Sequence, residues 1–201
     1  MILTVHQRYE LELPALWREL PPSSVLTNDS WRFEWVDELS VRVDRKETLL
    51  ESLRYAATFA LTKMDDDRSW VAIIDPERGT VRAMASIVTI GLTDDSVSAY
   101  LDVAVPELPL TGGILLNTRN VEATLGGHPA IVLHELGAYN FKEVGAAIGE
   151  RYVGTVFPDD GNAAVQLEIL AEGMDMFDDI VAVGNALLEG LRVADLDVDL
   201  D

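Results

Sequence analysis

The chain has 201 residues, 48% of them apolar, with four Trp, five Tyr and five Phe, so it can bury a core within one domain and is not globally disordered. Thirty-five acids against fifteen bases give a net charge of −20, a field that repels nucleic acid and anionic membranes, both of which are bound through cations on phosphate. Cysteine is absent, which excludes disulfides, thiolate nucleophiles and zinc sites built on Cys. The opening MILTVHQRYELELP has no basic start followed by a signal-length apolar run, and no stretch approaches a membrane span, so a cytoplasmic location is the expectation.

In chain order, residues 7–14 alternate as a first strand, with Tyr9, Leu11 and Leu13 on one face, Glu10 and Glu12 on the other, and Pro14 as the stop. WRFEWV reads as a second strand, with Trp31, Phe33 and Trp35 opposite Arg32 and Glu34. Asp44 and Glu47 have capping-box spacing and open a long helix over 45–64. Leu49, Leu50, Leu53, Ala56, Ala57, Ala60, Leu61 and Met64 recur along it at helical intervals. Asp65, Asp66 and Asp67 follow as a solvated loop, because acids oppose the dipole at a helix C-terminus.

WVAIID, the turn DPERG and VRAMASIVTI form a hairpin, Pro76 presetting one turn dihedral and Gly79 supplying a permissive one. Residues 94–104, after Asp94 or Asp95, read as a short helix stopped by ELPL. ILLNTRNVEATL, turning at Gly126–Gly127 into HPAIVLHEL, makes a second hairpin, and Gly137–Gly149 reads as a connection. RYVGTVF, PDDGN and AAVQLEIL make a third. A closing helix near 174–191 has Phe177, Ile180, Val181, Leu187, Leu188 and Leu191 on one side and Asp175, Asp178 and Asp179 at its start. Gly184 within that stripe predicts a close approach of helix to sheet. Together these elements predict an α+β fold: a central antiparallel sheet of three hairpin-type units covered by helices. The organisation is one domain over 1–194 and an acidic tail over 195–201.

No constellation carries chemistry by its spacing. His128 and His134 share a strand face, but HELG places Ala138 where a second HExxH histidine would stand, and Glu135 points to the opposite side. His128 reads as a turn residue before Pro129. His6 has no partner motif, and Ser86, Ser96 and Ser98 have no nucleophile elbow. Gly112–Gly113 and Gly126–Gly127 are turn glycines and 145–149 is only a weak small-residue match, so nucleotide binding has nothing to rest on. Asp195, Asp197, Asp199 and Asp201 alternate like the opening of a calcium loop without its glycine or distal Glu. No catalytic, cofactor-binding or metal-binding residue is therefore assigned, and no cofactor is expected.

The order of elements resembles the PsbP-like α/β sandwich family. The resemblance rests on LELPALWREL, VEATLGGHPAIV, and RYVGTVFPDDGNAAVQLEIL running into MFDDIVAVGNALLEGLRV, between about Tyr9 and Val193. It implies a central antiparallel sheet covered by helices and binding rather than catalytic functions, with no shared catalytic residues to transfer. The twelve Arg against three Lys have the balance of a GC-rich genome, actinobacterial or halophilic.

The first functional expectation is a non-catalytic protein-interaction module, an adaptor or chaperone, with an acidic surface and a strand edge for a partner. The same edge would serve a homodimer. The second is a small-molecule or lipid carrier, with a pocket between sheet and helix 45–64 lined by Trp31, Phe33, Trp35 and Phe59. The third is an enzyme, recognisable by a cleft where His128 or His134 meets a buried carboxylate.

Overall fold

Tight turns organise the sheet. In a computed structural model of the chain, the residues described are 2–5, 9–63, 68–91, 114–141, 145–158 and 163–193. β4 (Arg68–Asp75) and β5 (Thr80–Gly91) are joined by a turn in which the Asp75 carboxylate accepts the Glu77 and Arg78 amides, each at 3.0 Å. Gly79 closes that turn at φ +73°, where a side chain would be strained. β6 (Ile114–Leu125) and β7 (His128–Phe141) are joined by Gly126 and Gly127, both at positive φ, which a two-residue hairpin with matching strand twist requires. β8 (Gly145–Val156) and β9 (Ala163–Glu172) continue the antiparallel pairing.

Gly137–Gly149, expected as a connection, belongs largely to strands. β7 runs on to Phe141, β8 begins at Gly145, and Gly137 lies directly opposite Gly149. The glycines weaken the strand signal, but the ladder supplies the backbone hydrogen bonds. The helix expected over 94–104, the Asp65–Asp67 loop and the acidic tail lie outside the described residues.

At the start of the chain, β1 (Ile2–Val5) pairs with β2 (Tyr9–Glu12), while β3 (Trp17–Glu19) joins β4. The main sheet has seven strands in the order β3-β4-β5-β9-β8-β7-β6, all antiparallel. A second sheet has the order β1-β2-β10, with β10 at Arg192–Val193. This is an α+β fold with an open antiparallel sheet, as the sequence predicts.

Strand alternation sends side chains to two cores. On one face Val165, Leu167, Ile169, Tyr152 and Ile87 pack with Tyr9 and Leu11 of the small sheet, with Leu13 just past it, and with Ile180, Leu187 and Leu188 of α4 (Ile180–Glu189). Asp179 caps α4, its carboxylate accepting from Val181 and Ala182 at 2.9 and 3.0 Å, so the helix starts later than the expected 174. On the other face α1 (Ser23–Leu26), α2 (Ser30–Glu38) and α3 (Lys46–Leu61) cover Trp70, Ala72, Val81 and Met84. Leu49 and Leu53 of α3 are fully buried there, each worth about 1.5–3 kcal/mol of transfer free energy.

The long helix lies where predicted, without the expected capping box. Arg45 is the N-cap and makes no side-chain cap, while Asp44 pairs with Arg42 at 3.1 Å. WRFEWV is helical in α2, which corrects the strand reading. Trp31 and Trp35 sit one helical turn apart and meet edge-on at 5.0 Å. Phe33, which a strand would bury beside them, is 54% exposed. Arg32 is buried because its guanidinium reaches the Leu50 carbonyl at 3.2 Å and pairs with Asp29.

Candidate functional site

A cleft of about 580 Å³ opens beside α3 where β5 begins and β9 ends, lined on the helix side by residues between Glu47 and Ala56. This is the size of a small-molecule site. Ala56 of α3, Val81 and Met84 of β5, and Leu170 of β9 give it an apolar lining. Asp44, Glu47 and Glu51 from the helix side and Glu172 from the end of β9 give it carboxylates. The wall is pinned by Ser52, whose hydroxyl accepts the Val81 amide at 2.8 Å.

The lining charges differ in how they are satisfied. Arg82 is buried, and its Nη2 donates to Asp175 Oδ1 at 2.7 Å. Asp175 also takes Nη1 of Arg78 at 3.2 Å, so the segment leading into α4 is tied to the β4–β5 turn. Asp44 is paired with Arg42, and Glu51 with Arg54 at 2.8 Å. Glu47 and Glu172 have no cationic partner among the described residues. Burial raises the Tyr55 phenol above its ordinary pKa, and the Glu172 carboxylate raises it further. The phenol is therefore a neutral hydrogen-bonding group at physiological pH.

A second polar grouping lies on the same sheet face, farther across. Arg151 of β8 donates from Nη1 to Glu135 of β7 at 2.7 Å and from Nε to Glu168 of β9 at 2.8 Å. Burial pulls the guanidinium's pKa down, but the two carboxylates more than offset it and hold the charge on. Lys63, just past α3, has its pKa lowered by burial, which Glu168 partly counters. The network ties three adjacent strands together with every charge compensated, which suits a structural role.

The aromatic set expected to line a pocket does not converge on one. Trp31 and Trp35 meet edge-on, Phe59 packs edge-on against Trp70 at 5.4 Å, and Phe33 faces solvent. The cleft opens instead beside residues from the first half of α3. His134 projects to the opposite sheet face from Glu135, with Nε2 3.5 Å from Glu150 Oε1. His128 stands at the β6–β7 turn, as its place before Pro129 suggests. Among the described residues no three or more His, Asp or Glu side chains gather as metal ligands. His6 lies outside them. Sequence reasoning missed Arg82 and Glu172. The available signal was a charged residue inside the apolar run VRAMASIVTI and another two residues past AAVQLEIL.

No protein-family model matches the chain, and no curated protein does. Among solved structures it is similar to a protein from Bacteroides thetaiotaomicron, with 9% identity and a TM-score of 0.47 over 92% of this chain and 45% of that one. This chain therefore spans less than half of that protein's length. It is also similar to LpqN, involved in cell envelope biogenesis of Mycobacterium tuberculosis, with 18% identity and a TM-score of 0.41 over 92% of this chain and 83% of that one. At these identities no functional residue is transferred. No helix among the described residues is long and apolar enough to cross a membrane.

Proposed function

We propose that this chain is a non-catalytic binding protein whose ligand occupies the cleft between α3 and the sheet. The observation that carries this reading is the cleft itself, about 580 Å³ with an apolar lining from three elements and a wall fixed by the Ser52–Val81 hydrogen bond. Burying ligand surface against such a lining yields about 25 cal/mol per Å², enough for binding without a reactive group. The PsbP-like resemblance points the same way by analogy only, since fold does not dictate function. The test is phenylbutanol, a neutral apolar probe, titrated against the isotopically labelled chain. Amide shifts should concentrate at Ala56, Val81, Met84 and Leu170 and vanish in Thr48→Trp, an exposed lining position whose indole fills the mouth. Shifts scattered elsewhere, or unaffected by Thr48→Trp, count against the cleft.

A second reading follows from the edge of the sheet. β6 runs for 12 residues with β7 on one side and no strand on the other among the described residues. Its unpaired backbone groups suit addition of a partner strand, and a chain of charge −20 favours a basic one. That is the adaptor-like interaction module.

A further inference from the structure

We infer that the cleft takes a small organic cation, an apolar body carrying a protonated amine or guanidinium, rather than a neutral or anionic ligand. The inference rests on the cleft being the binding site and adds the chemistry of its occupant. Among the described residues Arg82 is the one cation in the lining, and Asp175 already neutralises it at 2.7 Å. It is therefore poorly placed to receive a ligand carboxylate or phosphate. Of the four lining carboxylates among the described residues, Asp44 and Glu51 have arginine partners there, which leaves Glu47 and Glu172 as uncompensated negative charge within that set.

These two acids line the cleft from the helix side and the strand side, so a cation in it meets a negative field from both walls. Tyr55 adds a half-exposed aromatic ring beside Glu172, a surface suited to an ammonium group. Carboxylates and a π face are complementary to a donor-rich cation, while Ala56, Met84 and Leu170 accommodate its hydrocarbon part.

The experiment compares three probes of one shape (phenylbutylamine, phenylbutanol and phenylbutyrate) by calorimetry and by amide shifts of the intact chain. The amine should bind about tenfold tighter than the alcohol, which corresponds to two carboxylates acting through a solvent-rich medium, and the acid should bind weakest. Glu47→Gln and Glu172→Gln should each weaken the amine about threefold and leave the alcohol unchanged. Glu172→Asp should retain most of the amine's affinity. Glu122→Gln on β6, which removes the same charge far from the cleft, should change nothing. In about 0.5 M NaCl, where screening acts over a few ångströms, the amine's advantage should shrink several-fold. If alcohol and amine bind the cleft equally, the cation inference fails and the binding reading stands. If none of the three shifts a cleft amide, both fail together.

Discussion

Gly184→Ala tests how tightly α4 is seated on the sheet. In an exposed helix the substitution would stabilise by about 1 kcal/mol, since alanine is the best helix former and glycine among the worst. Here the Tyr152 ring, wholly buried, lies between Gly184 of α4 and Gly154 of its own strand. A Cβ built on either glycine falls under 3.0 Å from ring atoms, closer than real Cβ contacts come. The ring has no retreat. Its hydroxyl donates to Asn185 at 2.9 Å, and Leu188 occupies the space beside Gly154. The helix must lift instead, and overpacking of this kind costs about 1–3 kcal/mol. The clash outweighs the propensity gain, so the net loss should be up to about 2 kcal/mol, read as a lower urea midpoint by circular dichroism at unchanged slope. In a Tyr152→Leu background the ring is gone and the same substitution should become stabilising by up to about 1 kcal/mol. A raised midpoint for the single variant, or a cost that persists without the ring, would refute the reasoning.

Arg151→Met leaves Glu135 and Glu168 buried without their cation and should cost about 3–5 kcal/mol in denaturant. Replacing all three by apolar residues should recover most of that loss, and a single variant as mild as a surface change would show that the carboxylates are better solvated than their burial implies. The alkaline limb of stability should belong largely to Tyr152, whose pKa burial raises above its ordinary 10.0. A folded-state pKa raised above the unfolded one gives stability that is complete below pH 10.0 and is lost as pH climbs through the folded value. Tyr152→Phe should lower the plateau, through the lost Asn185 bond, and flatten the alkaline fall. Phenolate absorbance reaching five tyrosines while the circular dichroism stays native would contradict this.

Much of the fold was legible because local signals and tertiary demands agree. Gly79, Gly126 and Gly127 encode turns that need positive φ, and α3 carries Leu49, Leu53, Ala56 and Ala60 on one helical face. Gly184 marked a close approach that the structure places against Tyr152. The α2 segment misleads because its aromatics satisfy two periods at once. Trp31 and Trp35 fit both alternation and a helical turn, and only the fate of Phe33 and Arg32 separates the two. Gly137 and Gly149 read as a loop because glycine carries no face, yet each finds the other across the β7–β8 ladder. The cleft was illegible for a different reason. Its uncompensated acids, Glu47 and Glu172, come from distant parts of an acidic chain, and which acids lack an arginine is settled only by packing.

The main sheet is two ribbons zipped along a single line. β3, β4 and β5 follow one another in sequence, as do β6 to β9, and only the β5–β9 pairing, Ala83↔Ala171 through Gly91↔Ala163, stitches them together. The β4–β5 hairpin and the β6–β9 ribbon can close between chain neighbours and β3 returns to β4 across α1–α3, whereas the seam must bring distant segments into a long register after a large loss of chain entropy. Folding should therefore be gated by that junction, and chaperones or proteases would meet two half-made ribbons whose β5 and β9 edges are still bare.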